Sequence, residues 1–209
     1  MFERYTESAR RALFFARYET SEFGSQAIDT EHVLLGIARD APGIAGRILG
    51  EAGLSYASLS SEVERQIAKR ERTATSVEIP FADGTKRTLR FAEEEANRQS
   101  VSYIGTEHLL LGLLREQSGI PAGILSAAGL QLDDARNRVR ELSSASPPPP
   151  DAPAPPASGD KTEVAFLLQR IQSMVAALEP RVMNDPEARA LLDSVRIELY
   201  TLQRRITRE

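Results

Sequence analysis

The 209 residues contain no cysteine, which excludes disulfides, thiolate metal sites and a cysteine nucleophile, and with them redox chemistry by the protein itself. Histidine is nearly as scarce, with His32 and His108 the two present. A catalytic triad or a zinc site would have to draw on groups far apart in the chain. The G-x-x-x-x-G-K-[ST] loop that cradles nucleotide phosphates is missing, as are H-E-x-x-H and G-x-S-x-G. Catalysis is not expected, and no cofactor or metal is implied. No apolar run reaches the roughly 18 residues that would span a bilayer. The opening Met1-Phe2-Glu3-Arg4 lacks the basic and apolar blocks of a signal peptide, so a cytoplasmic location is expected. Positive charge is not in excess either, the net charge being −4. That argues against a DNA-binding regulator, because nonspecific phosphate-backbone affinity needs clustered Lys and Arg. The short basic runs Arg10-Arg11, Lys86-Arg87 and Arg204-Arg205 read as solvated helix faces.

What the chain does have is a duplication. Thr30-Glu31-His32-Val33-Leu34-Leu35-Gly36 returns as Thr106-Glu107-His108-Leu109-Leu110-Leu111-Gly112, and over residues 30–54 against 106–130, 14 of 25 positions are identical at a constant offset of 76. A repeat of this kind means one supersecondary unit used twice. Each copy reads as four helices. Tyr5, Ala9, Ala12/Leu13, Ala16 and Thr20 recur at helical spacing, answered by Phe81, Thr85, Leu89, Ala92 and Ala96. Thr30 to Arg39 and Thr106 to Arg115 follow, with Thr as the expected N-cap and Leu-Leu-Gly facing inward. Ile44, Ile48 and Leu49, answered by Ile120, Ile124 and Leu125, predict a short third helix ended by Gly53 or Gly129. Segments at 55–69 and 132–142 close each unit, with Val63/Ile67 and Val139/Leu142 turned inward. No stretch of either repeat reads as a sustained strand.

Residues 143–161 hold seven of the 12 prolines and no large apolar side chain, the composition of an extended polyproline II spacer. A ligand for proline-recognising domains is the alternative reading. Beyond it, Val164, Leu167/Leu168, Ile171, Met174/Val175 and Leu178 form one apolar stripe, and Leu191/Leu192, Val195, Leu199, Leu202 and Ile206 a second, separated by Pro180. This predicts an αα-hairpin over 162–209. Two such helices bury little alone, so self-association or docking is expected of them.

Glu31 and Glu107 fall in the first turn of a predicted helix, where the macrodipole stabilises acids by about 0.3–1 kcal/mol. With Thr at the N-cap they are not part of a capping box, since N3 would then be Val33 or Leu109. The functional alternative is recognition, the carboxylate taking a guanidinium while free backbone N–H groups take an anion. His32 and His108 read as packed, hydrogen-bonded helix-start residues, and a lone His per repeat cannot hold a metal. Phe14 and Tyr18 correspond to Arg90 and Glu94 in the second repeat. The aromatic pair either contacts something particular to the first repeat, such as the hairpin or the repeat interface, or forms a partner patch, and packing is the expectation.

Met-Phe-Glu-Arg-Tyr-Thr at 1–6, Ile-Gly-Thr-Glu-His-Leu-Leu-Leu-Gly-Leu-Leu-Arg-Glu at 104–116 and Ile79-Pro80-Phe81 closely resemble the double Clp N-terminal repeat domain of Clp/Hsp100 unfoldases. The resemblance covers about residues 1–142. It implies an all-α, pseudo-twofold, eight-helix domain made of repeats at about 2–69 and 79–142, to which the linker (143–161) and hairpin (162–209) are added. It implies binding of adaptors or unfolded protein without chemistry. In ClpC-type relatives the equivalent glutamates bind phosphorylated arginine, which would carry to Glu31 and Glu107. The family's threonine near each repeat start is matched by Thr6, whereas Ala82-Asp83 stand where Thr-Pro is usual, replacing a hydroxyl with a negative charge. The family's peptide groove lies near the repeat starts, where Phe2 and Phe81 match its aromatic positions.

The expected function is therefore a non-catalytic substrate- and adaptor-recognition accessory of the Clp chaperone-protease system. Its partners would be Clp ATPases or other Clp components, adaptors, and unfolded or arginine-phosphorylated proteins. No Walker loop follows the repeats, so ATP-driven unfolding is not expected. The rival expectation is a self-assembling or sequestering protein, a homo-oligomer formed through 162–209.

Overall fold

The computed structural model describes residues 2–39, 43–67, 71–72, 79–144 and seven positions between 171 and 199. The described residues fall in two compact units. The larger, residues 1–96 with 103–153, carries the duplicated helices. They run α1 Glu7–Phe23, α2 Thr30–Arg39, α3 Ile44–Glu51 and α4 Tyr56–Gln66, then α5 Asp83–Arg98, α6 Thr106–Glu116, α7 Gly119–Ala127 and α8 Leu132–Ser144. The fold is all-α, and the second four helices repeat the first.

Helix ends follow local chemistry. Thr6 caps α1, its Oγ1 accepting the Ala9 N–H at 3.1 Å, and Gly24 ends it in the left-handed region at φ 66°. Gly53 and Gly129, at φ 72° and 75°, close the third helix of each repeat. Leu54 and Leu130 then donate back to Leu49 and Leu125 at 2.8 and 2.9 Å. Thr30 and Thr106 are not the caps. The helices begin at these residues, so Asp29 and Gly105 occupy the cap position and His32 and His108 fall at N3. Each histidine Nδ1 accepts the N–H of the residue three before it, from Asp29 at 3.0 Å and Gly105 at 2.9 Å. The histidines thereby do half the work of a capping box, which the sequence pattern hid because Thr is the better-known N-cap.

The core is the inward face of all eight helices, and its tightest point is glycine. A Cβ on Gly36 would meet the Ala12 carbonyl oxygen and lie 2.8 Å from the Ala16 nitrogen. On Gly112 it would meet the Thr88 carbonyl and lie 3.1 Å from the Ala92 nitrogen. The first and second helices of each repeat thus cross backbone to backbone, with Ala12, Ala16, Thr88 and Ala92 all 0% exposed at the crossing. The same helix pair is tied at its far end by a buried acid that the hydrophobic pattern did not reveal. Glu19 meets Arg39 at 2.5 Å and Glu95 meets Arg115 at 3.1 Å, and Glu95 also takes Arg136 at 2.7 Å.

The two repeats are joined by an exchange. Tyr5 bridges to Ile104 and Phe81 to Ile28, each pair parallel, and each residue stands 76 positions from its counterpart. The hydrogen bonds match as well: Thr6 N–H to Ile104 O at 3.1 Å mirrors Ala82 N–H to Ile28 O at 2.9 Å. Ile104 N–H to Arg4 O at 2.7 Å mirrors Ile28 N–H to Pro80 O at 2.8 Å. Each repeat's leading segment therefore pairs with the other repeat's connection between its first two helices.

The second unit holds residues 97–102 with 154–209. The expected linker, and most of the expected hairpin, lie outside the described residues. Of the hairpin's stripe positions that are described, Val175 and Leu199 are buried with Leu192 packed against them, while Ile171 and Val195 are exposed.

Gly36→Ala or Gly112→Ala must push α1 from α2, or α5 from α6, and should lower unfolding stability by about 3 kcal/mol, read by urea denaturation. Gly50→Ala, where a Cβ meets nothing, should leave it unchanged or slightly raised.

Candidate functional site

The exchanged segments create two grooves related by the internal twofold. The first, of about 470 Å³, runs between α1 and the segment leading into α5. Its α1 wall is Arg10, Leu13, Phe14 and Arg17, and its opposite wall is Ile79, Pro80 and Phe81. Phe2 closes one side, its ring 5.0 Å from Tyr5 and 6.2 Å from Phe81 in edge-to-face contacts. The second groove, of about 310 Å³, is lined at the equivalent positions by Lys86, Leu89, Arg90 and Glu93 and by Glu3, Arg4 and Tyr5. Tyr5 is the counterpart of Phe81 by offset, so Phe2 is an addition specific to the first groove. Phe14 is 64% exposed. The expected packing of Phe14 is thus overturned. Tyr18 does pack, lying under the Arg39 guanidinium at 4.6 Å. A large apolar ring left in water beside further aromatic rings makes this groove a candidate contact surface.

The two glutamates lie at the start of α2 and α6, and their carboxylates are nearly buried, with side chains 12% and 7% exposed. Burial pushes both carboxyls above the usual range, opposed by a hydrogen bond from each residue's own N–H and, for Glu31, a weaker one from Thr30. Asp29 pushes Glu31 further up. The Glu107 carboxylate lies over Gly105, filling the space a Cβ would need. His32 Nδ1 lies 3.9 Å from the Glu31 carboxylate and His108 Nδ1 3.5 Å from that of Glu107, but these are not ion pairs. Burial lowers His32 to about 4 and His108 to about 3, so both imidazoles are neutral at pH 7. Their Nδ1 atoms accept hydrogen bonds, which places the proton on Nε2, buried in both and without a hydrogen-bond partner, while the rings lie 5.9 Å from Phe23 and 5.8 Å from Tyr103. No Lys or Arg among the described residues pairs with either glutamate, an expensive arrangement for a carboxylate.

The exchange also decides which residues are neighbours. Thr6, 2% exposed and engaged in capping α1, is hydrogen-bonded to Ile104 and so belongs with Glu107. Ala82 is bonded to Ile28 and belongs with Glu31. A Cβ on Gly84 would lie 3.5 Å from the Asp29 carboxylate, the acid that acts on Glu31, and 3.7 Å from that of Glu116, which Arg87 pairs at 2.6 Å. Asp83 is exposed and paired with Lys86 at 2.9 Å.

An all-helical, internally duplicated module with two grooves at the seam of its repeats is the class this geometry defines. The chain belongs to the Clp repeat (R) N-terminal domain family, matched over residues 4–119 and 81–174. It is 37% identical over 142 residues to the chaperone protein ClpB of Oceanobacillus iheyensis, covering 68% of this chain and 17% of that one. The negative regulator of genetic competence ClpC/MecB of Bacillus subtilis matches to the same extent. The chain thus spans about a sixth of the length of these relatives. Among solved structures, the N-terminal domain of the caseinolytic protease associated chaperone ClpD from Arabidopsis thaliana is similar with a TM-score of 0.56 at 26% identity, over 68% of this chain and 95% of that one. The N-domain of ClpV from Vibrio cholerae shares the fold, with a TM-score of 0.56 at 14% identity over 68% of this chain and 87% of that one.

The buried histidines and glutamates give opposite pH dependences. Lowered histidine values cost the folded state stability as pH falls from 6.5, the unfolded value, toward about 4, at about 1.4 kcal/mol per pH unit per histidine. Raised carboxyl values cost it stability as pH rises above 4.5. His32→Asn/His108→Asn, which keeps an acceptor for the cap, should therefore flatten the acid side of a plot of unfolding free energy against pH between 6.5 and 4. Glu31→Gln/Glu107→Gln should instead gain stability at pH 7 and lose that gain in acid.

Proposed function

We propose that this chain is a non-catalytic protein-binding module of a Clp-type chaperone-protease system, receiving unfolded polypeptides or adaptors. The observation that carries the reading is the first groove at the seam between the repeats, lined by Phe2, by exposed Phe14 on one wall and by Phe81 on the other. Pre-formed concave surfaces lined by aromatics hold extended peptides through buried side chains, and two or three anchors supply most of the affinity. Membership of a family whose relatives are chaperones supports it. Glu31 and Glu107 form a second element of recognition. Each is a buried carboxylate at a helix start without a cationic partner, suited to a guanidinium, with phosphorylated arginine the ligand that the likeness to ClpC-type proteins implies.

Fluorescence anisotropy with a labelled, permanently unfolded protein, reduced and carboxymethylated, tests the reading. Binding is expected, and Phe2→Ser/Phe81→Ser should weaken it by about tenfold or more, each ring contributing about 1 kcal/mol. Absence of binding, or binding indifferent to both rings, contradicts it. Arginine phosphorylation of the same protein should strengthen binding to the unmodified chain and not to Glu31→Gln/Glu107→Gln. An equal gain in both removes the glutamates from recognition.

A further inference from the structure

Beyond the repeats, the apolar residues keep a spacing that a lone hairpin does not use up. Val164, Leu168, Ile171, Val175 and Leu178 stand alternately four and three residues apart, and Leu192, Val195, Leu199, Leu202 and Ile206 alternate in the same way. That is the heptad spacing of helices that pack along a continuous seam. The structure describes Ile171, Val175, Leu192, Val195 and Leu199, all of them helical. Val175 and Leu199 are buried, with Leu192 packed against them. Ile171 is 43% exposed and Val195 42% exposed, although each lies four residues before a buried neighbour in its own stripe and so on the same helix face. The burial around Val175 and Leu199 therefore does not extend over the whole stripe, and a β-branched apolar side chain on each is left in water beside it.

We propose that a second copy of this chain covers Ile171 and Val195, the hairpins of two copies closing into an antiparallel four-helix bundle. Charge points to a second copy as the occupant. From 185 to 193 the sequence holds Asp185, Glu187 and Asp193 against Arg189, and from 204 to 208 it holds Arg204, Arg205 and Arg208 with no acid. Two copies related by a twofold axis across the predicted second helix lay the acidic half of each on the basic half of the other, whereas a parallel pair sets like charge on like. A self-complementary patch of this kind closes at two chains. Dimerisation also changes what the repeats can do, and this consequence alone rests on the protein-binding reading above. Two receptor modules carried on one body hold a polypeptide that offers two segments more tightly than either module does, without any new contact.

Sedimentation velocity of the full chain over about 1 to 100 µM reads the mass of the assembly, and a dimer is expected. Ile171→Glu/Val195→Glu places charge in the closed seam and should weaken association by about 100-fold or more. Both side chains lie outside the repeats and are exposed in the single chain, so the urea transition of the repeats should not move. Arg204→Glu/Arg205→Glu/Arg208→Glu and Asp185→Lys/Glu187→Lys/Asp193→Lys should each dissociate more readily alone and pair with one another when mixed. Charges that serve only the helix dipole would give no recovery on mixing. The unsubstituted chain needs no variant to show its mass, so a folding defect in a variant cannot hide the result. A monomer throughout, an assembly larger than two chains, association indifferent to Ile171→Glu/Val195→Glu, or no recovery on mixing overturns the proposal. Each of these outcomes leaves the protein-binding reading in place, since anisotropy with the unfolded protein tests that separately.

Discussion

The structure depends on the twin exchange of backbone hydrogen bonds at Tyr5/Ile104 and Phe81/Ile28. Each repeat alone would leave these groups unpaired in a half-buried segment, where an unmet backbone donor or acceptor costs about 1–3 kcal/mol. Paired across the twofold, they bind the start of one repeat to the helix connection of the other. The repeats cannot separate without breaking both sets. The helix starts that carry Glu31 and Glu107 follow directly from the paired residues Ile28 and Ile104, so the same bonds position the glutamates and the grooves.

A duplicated fold frees one copy of a surface to diverge. The backbone framework is shared, seen in the glycine crossings at Gly36 and Gly112, the histidine caps at His32 and His108, and the buried acids Glu19 and Glu95. The surface chemistry has separated. Aromatic and arginine residues line one groove and paired charges the other, and Asp29 stands beside Glu31 where Gly105 stands beside Glu107. Asymmetry of surface on a symmetric scaffold follows from side chains that the packing does not constrain, since Phe14 and Arg90 are both exposed at the same helical position.

Much of this was legible in the residues. The offset of 76 gave the duplication, helical spacing gave the eight helices, and the glycine after the third helix of each repeat gave its end. The family followed from short motifs at 1–6 and 104–116. Other features were not legible, each for a physical reason. The exchange at Tyr5 and Phe81 involves single bridged residues, too short for any strand periodicity. His32 and His108 cap helices through a nitrogen acceptor, outside the usual oxygen-based cap pattern, so the residue pattern points to Thr30 and Thr106 instead. The burial of Glu19 and Glu95 has no local signal, because the partners Arg39 and Arg115 lie 20 residues away and Arg136 lies 41 from Glu95. Exposure of Phe14 could be judged only with the opposite wall in place, since a helical wheel does not show what the far repeat supplies.

Hydrogen exchange of the full chain, with and without a permanently unfolded polypeptide, tests most directly that the seam between the repeats is the recognition surface. The account predicts added protection at residues 2–5, along the first half of α1 and at 79–82, with the equivalent positions from Lys86 to Glu93 unchanged. Protection centred on 86–93, or spread equally over both faces of the twofold, would contradict it.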